Sequence, residues 1–138
     1  MDTETKTIVQ EIEEYSAHCN GSQDFHKHWL TGIYYTDGVD FVANKAGAYW
    51  LIDAIASHQM TAKVLKEEFQ VWTLRCLDDL FSNRSGVLTM DDGNDAPPLV
   101  TQVIEYTDFP LDTFRFYLED GSLDEVTRCK ILMLPNER

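Results

Sequence analysis

Basic side chains are scarce in this sequence: 11 Lys and Arg stand against 24 Asp and Glu, a net charge of −13 over 138 residues. Nucleic-acid binders draw affinity from Lys and Arg that displace counterions from phosphate, and no basic run exists here. Direct contact with DNA, RNA or an anionic membrane surface is therefore not expected; the charge suits a basic partner or plain solubility. Cysteine is sparse as well. Cys19, Cys76 and Cys129 are odd in number and have no C-x-x-C spacing, which argues against a disulfide framework or a thiolate zinc site. No apolar run approaches the roughly 18 residues that a membrane span needs. Met1-Asp2-Thr3-Glu4 offers neither the basic nor the apolar region of a secretion signal. A cytoplasmic, reducing compartment is the expectation, and the sequons at Asn20 and Asn83 carry no meaning in it.

What is present is enough apolar material for one core. The chain is 43% hydrophobic and 12% aromatic, too apolar for disorder, and its length fits a single domain over 1–138. Ile8, Ile12, Tyr15 and Cys19 recur at helical spacing, with Thr7 and Gln10 as a capping box and Asn20-Gly21 as a stop. Ser22 reads as the cap of a second short helix bearing Phe25 and Trp29, ended by Gly32. After an extended Ile33-Tyr34-Tyr35, Asp37 stands where an N-cap belongs, ahead of Val39, Val42 and Ala46. Gly47 interrupts, a helix resumes over 48–58, and a helical turn follows over 61–67. From Phe69 the period changes to two. Runs at 69–77, 86–91, 99–106, 113–119 and 126–134 read as strands, separated by turn chemistry at 92–98, 108–110 and Asp120-Gly121. Helices first and strands afterwards predict an α+β domain. A helical layer over about 3–67 packs on one face of a four- to five-stranded antiparallel meander over about 68–135.

Chemistry is harder to find. His26-Lys27-His28 would offer two imidazoles on one side of a strand, but on the expected helix they point about 200° apart, which rules out joint metal ligation. There is no G-x-S-x-G elbow, no phosphate cradle and no cofactor fingerprint. Cys76 and Cys129 sit in apolar strands and read as packing groups. The acidic pairs Asp78-Asp79, Asp91-Asp92, Glu119-Asp120 and Asp124-Glu125 fall in turns and strand ends, where water keeps both members ionised. Asp91-Asp92-Gly93-Asn94-Asp95 hints at calcium but lacks the closing bidentate Glu. The residues most able to line a pocket between helices and sheet are His28, Asp37, Tyr49, Trp50 and Asp53. No catalytic residue, metal or cofactor is expected.

Three blocks nevertheless resemble a known family: His28-Trp29-Leu30, Tyr35-Thr36-Asp37-Gly38-Val39, and Gly47-Ala48-Tyr49-Trp50-Leu51-Ile52-Asp53-Ala54-Ile55. Ala96-Pro97-Pro98-Leu99-Val100, Tyr106-Thr107-Asp108-Phe109-Pro110-Leu111 and Tyr117-Leu118-Glu119-Asp120-Gly121 extend the likeness. The chain from Phe25 onward is similar to DUF6876, a family of small bacterial, plasmid and phage proteins of unknown function. One departure is visible, a longer segment from Ser122 to Lys130 before the leucine-rich end. The resemblance implies no activity.

The leading expectation is a non-enzymatic acidic interaction module. It would serve as an accessory or counter-defence (inhibitor) protein of a phage or mobile element, and its partner would be a basic nucleic-acid-binding host protein. In one version, carboxylates on the sheet's wet face mimic nucleic acid. Ten acidic and five basic residues lie up to Glu67 and fourteen and six from Glu68 on, a mild bias toward the strand half. The rival expectation is a small-molecule-binding domain or small enzyme using the pocket residues above.

Overall fold

The computed structural model describes residues 3–18, 25–29, 31–94, 97–122 and 128–138. In chain order these form α1 (Thr3–His18), β1 (Phe25–Lys27), β2 (Tyr34–Thr36), α2 (Asp37–Ala46), α3 (Tyr49–His58) and α4 (Ala62–Leu65). Then come β3 (Phe69–Asp78), β4 (Arg84–Asp91), β5 (Val100–Ile104), β6 (Thr113–Ser122) and β7 (Arg128–Met133), closed by a 3-10 turn over Pro135–Glu137.

Local chemistry accounts for the helix ends. Thr36, in extended conformation, accepts the Val39 N–H on its hydroxyl at 3.3 Å and so caps α2. Asp37, the expected cap, is instead the first helical residue, one position later. Gly47 ends α2 in the left-handed region (φ 62), which lets its N–H reach back to the Ala43 and Asn44 carbonyls. In α1, Ile12 is fully buried and Ile8 packs against the core. The helix begins at Thr3, so Thr7 lies inside it and is no cap. Cys19, Asn20, Gly21 and Ser22 lie outside the described residues.

The sheet departs from expectation in number and in order. Seven strands run β1-β2-β7-β6-β3-β4-β5. The five C-terminal strands pair only antiparallel with one another, as their alternation predicts. The short helix expected around Phe25 is a strand, however, and Tyr34–Thr36 adds another, parallel to β7. A bare β7 would leave Ile131, Leu132 and Met133 on an open edge; β2 closes it. Nor is the sheet a meander throughout. β6 returns across β4 to pair with the far side of β3, so residues 105–112 form a crossover. Phe109, expected in a turn, belongs to this crossover and is fully buried. Arg84 holds the crossover by donating to the Phe109 and Leu111 carbonyls at 2.8 and 2.7 Å. Asp120-Gly121 is likewise no turn: β6 runs through it, with Gly121 opposite Cys129.

All four helices contribute to one core on a single face of the sheet. Ile12, Val39, Val42, Leu51, Ile55 and Val64 meet Trp72, Leu74, Leu88, Met90, Phe116, Leu118 and Leu132. Two ties hold the layers. Glu137 accepts from the Thr36 hydroxyl at 2.6 Å and from the Leu134 N–H at 2.8 Å. Its carboxylate sits where a Cβ on Gly38 would stand, 2.5 Å away, beside the positive end of α2. The second tie is Gln70, 0% exposed. Its Nε2 donates to Gln59 Oε1 and to the Val64 and Glu67 carbonyls, and its Oε1 accepts from Gln59 Nε2 and Trp72 Nε1.

Gln70→Leu fills similar space but strands several of these groups. At about 1–3 kcal/mol for each buried group left unpaired, urea unfolding should show a loss of at least about 3 kcal/mol. A loss below about 1 kcal/mol would mean the amide network does not hold the layers.

Candidate functional site

The five residues proposed from sequence separate into two sets. His28, Tyr49 and Asp53 line one notch, together with Lys27, Trp29, Tyr35 and Ile52. It lies between the β1–β2 edge and α3, and its volume is about 260 Å³. Asp37 stands at the start of α2, paired with His26 Nε2 at 2.9 Å. Trp50 is turned elsewhere and packs against the core.

Asp53 organises the notch. His28 Nε2 donates to Asp53 Oδ1 at 2.7 Å and Trp29 Nε1 donates to the same oxygen at 3.2 Å. The state of His28 follows from its other nitrogen. Nδ1 accepts the Thr31 backbone N–H at 3.1 Å, so it carries no proton, and the ring is the neutral Nε2–H tautomer. The His28 contact to Asp53 is therefore a hydrogen bond and not an ion pair. Among the described residues, Oδ2 receives no donor, and the side chain is 50% exposed. His28 is only 5% exposed and Trp29 is 77% exposed, so a rigid base carries a projecting indole.

Two phenols register the field of these carboxylates. Tyr49 donates to Asp40 Oδ1 at 2.8 Å. Burial first, then the Asp40 bond and charge, push its pKa above the ordinary phenol value. Tyr35 is pushed up by burial and then by the charges of Asp40 and Asp53. His26 stacks on Tyr35 with ring centroids 5.3 Å apart. The notch is thus walled by three aromatics and carries negative potential, with Lys27 at its border.

Other sequence candidates resolve plainly. β1 is a strand, so the helical argument against His26 and His28 falls; each imidazole is instead committed to its own carboxylate. Among the described residues, no group of three His, Cys, Asp or Glu could hold a metal ion. Thr31, His28 and Asp53 have the connectivity of a hydrolase relay, the Thr31 hydroxyl lying 3.1 Å from Nδ1. The same lone pair already takes the Thr31 N–H, so the arrangement orients Asp53 and leaves no free base for Thr31. Burial pushes the Cys76 thiol up, as befits a packing group. Asp91 and Asp92 accept the N–H groups of Gly93 and Asn94, which is turn chemistry; Asp95 lies outside the described residues. A cavity of about 510 Å³ lies between the α3–α4 turn and the β6–β7 hairpin, lined by Ile33, Met60, Leu65 and Cys129 among others. Residues 123–127, which join those strands, lie outside the described residues. Among the described residues, no helix is long and apolar enough to cross a membrane.

The profile of a family of unknown function, DUF6876, matches residues 10–138. The chain belongs to this family. DUF6876 thus spans the notch, the whole sheet and most of α1. A search of curated proteins found no match, and a search of solved structures found none.

Trp29, Tyr35 and Lys27 also line the notch; a helical reading of residues around Phe25 hides Lys27 and Trp29, and the extended reading of Tyr34-Tyr35 does not show which strand edge they join. The available signal was His28-Trp29 followed by aromatic and β-branched Tyr34-Tyr35-Thr36, a hairpin pattern with an unusual loop. The alternation assigned the faces of β3 and β6 as the structure has them, with Trp72, Leu74, Phe116 and Leu118 toward the core and Arg75, Arg115 and Tyr117 on the other side. The cleft on that outer face is lined by Arg75, Arg115, Arg138 and Tyr117 beside the single carboxylate of Asp91.

Two outcomes follow. His28→Leu leaves the Thr31 N–H and Asp53 without their partner and should cost about 1–3 kcal/mol in urea unfolding. The neutral phenol is favoured in the fold, so the stability that Tyr35 and Tyr49 contribute is present below pH 10.0 and lost as pH rises through their higher folded values. Asp40→Asn should bring the Tyr49 transition back toward 10.0 in an ultraviolet titration. An unchanged transition would show that Asp40 does not act on it.

Proposed function

We propose that this protein is an acidic interaction module that seats a cationic side chain of a basic protein partner in the notch around Asp53. The observation that carries the proposal is the free Oδ2 of Asp53 between aromatic walls. Oδ1 is saturated by His28 and Trp29, while the second oxygen keeps its charge available. A Lys or Arg head there would meet a carboxylate and the faces of Trp29, Tyr35 and Tyr49. An aromatic contact of this kind is worth about 0.5–1 kcal/mol at an exposed site and about 2 when desolvated. The overall charge of −13 would steer a basic partner to the surface.

Exposed apolar groups elsewhere suit protein contact. The β3–β4 turn presents Leu80 at 99% and Phe81 at 83% exposure. Its backbone is held by Asp79, which accepts the Phe81 and Asn83 N–H groups at 2.7 and 2.9 Å. Those bonds hold the Asp79 carboxyl below its usual value. In an accessory or inhibitor protein of a phage or plasmid, the notch would occupy a basic side chain that the host protein uses elsewhere.

The test is a fluorescence titration of the protein with short Arg- and Lys-containing peptides, with an acidic peptide as control. Trp29 is the exposed indole beside Asp53, so basic peptides should change its emission, and Trp29→Phe should remove the signal. Asp53→Asn should abolish binding, and raising the salt should weaken it. Binding that survives Asp53→Asn would refute the notch as the site.

A further inference from the structure

The face of the sheet turned away from the helices carries a cleft of about 580 Å³, lined by Phe69, Arg75, Asp91, Arg115, Tyr117 and Arg138 among others. Three of the chain's five arginines meet there. Register brings two of them together. Arg75 lies opposite Thr113 and Arg115 opposite Thr73, so the two are diagonal neighbours on one face of adjacent strands. Thr73 in turn pairs with Thr89, whose hydroxyl accepts from Arg75 Nη1 at 3.3 Å. Arg138 covers one end, stacked 4.3 Å from the Phe69 ring centroid and paired with Glu119 at 3.2 Å.

The charge at this place runs against the rest of the molecule. Carboxylates outnumber basic residues 24 to 11, and several of the cations pair with one. Arg84 takes Asp78 and Asp112, Lys45 takes Glu11, and Lys130 takes Asp120. Among the described residues, neither Arg75 nor Arg115 has a carboxylate partner. Asp91 shares the cleft, but the bond it makes is with the Gly93 N–H at 2.8 Å. Two unpaired like charges set side by side on a sheet repel, and a bound anion would relieve that repulsion.

We propose that the cleft binds a small molecule bearing a multivalent oxyanion, a phosphate or a polycarboxylate, with Arg75 and Arg115 as its anchors. Each guanidinium presents a planar fork of donors that matches either anion bidentately, and two forks together favour a charge of two or more over chloride. The volume lies within the range of small-molecule sites, about 300–1,000 Å³. Phe69 and Tyr117, edge to face at 5.1 Å, offer an apolar side to the organic part of the ligand. A long nucleic acid is disfavoured, since its further phosphates would meet the acidic surface beyond the cleft. No residue of the Asp53 notch takes part, so this site stands or falls apart from that reading.

The test is thermal unfolding and calorimetric titration of the full chain with pyrophosphate, citrate and sodium chloride at matched ionic strength. Pyrophosphate or citrate should raise the melting temperature by several degrees while chloride does not. A response to pyrophosphate alone identifies a phosphate ligand, and a response to citrate alone a carboxylate. Arg75→Gln and Arg115→Gln should each weaken binding about tenfold, and the double variant should not respond. Because both side chains are exposed, the variants should keep the wild-type circular dichroism. Arg115→Lys keeps the charge but loses the fork and should fall between. No response to either anion, an equal response to chloride, or an undiminished response in the double variant would overturn the proposal.

Discussion

One buried amide joins the two layers of this molecule. Gln70 stands in β3, the strand with β6 on one side and β4 on the other, yet three of its five hydrogen-bond contacts reach the α3–α4 segment directly through Gln59 and Val64. A polar group without water is costly unless every donor and acceptor is met, so the network permits only a narrow range of positions for the helices. α3 is the helix that bears Asp53. Where Gln70 places α3, Asp53 meets His28 across the edge of the sheet, and the notch exists. The same strand carries Trp72 toward the helices, where it stacks on His58 with centroids 5.4 Å apart. Its alternate residues, Val71, Thr73 and Arg75, face the arginine cleft. Site and counter-site are thus two sides of one strand.

Charge is distributed against the average. In a chain with a surplus of carboxylates, Lys45, Arg84, Lys130 and Arg138 each pair with one. Arg75 and Arg115, on the face without helices, are neighbouring cations that have no carboxylate partner among the described residues. Around Asp53 the opposite holds, with a neutral His28 leaving a carboxylate uncompensated. The negative net charge says nothing of where charges gather; side-chain placement sets Asp53 in the notch and Arg75, Arg115 and Arg138 in the cleft.

How far the sequence reveals this depends on the range of the interaction. β3, β4, β5 and β6 were legible because period-two alternation over several residues has few competing explanations, and α2 and α3 because Gly47 separates two apolar stripes. β1 is not legible as a strand, since three residues cannot show a period, and their strand state comes from pairing with Tyr34–Thr36. Asp108 and Pro110 flank Phe109 and give it the look of a turn residue, while the crossover that buries it depends on strand order. Three of the five proposed pocket residues share the notch; Trp50 does not, because on α3 it lies outside the lining that Tyr49 and Asp53 share.

Composition and periodicity by themselves determined an α+β chain with a helical N-terminal part, a strand-rich C-terminal part, a real core and a strongly negative charge. These are sums over residues or patterns between near neighbours, so no partner distant in sequence is needed to read them. Tertiary structure alone decided the strand order, the parallel closure of β7 by β2, the meeting of His28 with Asp53, and the diagonal approach of Arg75 to Arg115 on one face. Each joins segments from 25 to about a hundred residues apart. Such contacts form only after the chain has folded back on itself, and many registers would satisfy the local pattern equally well.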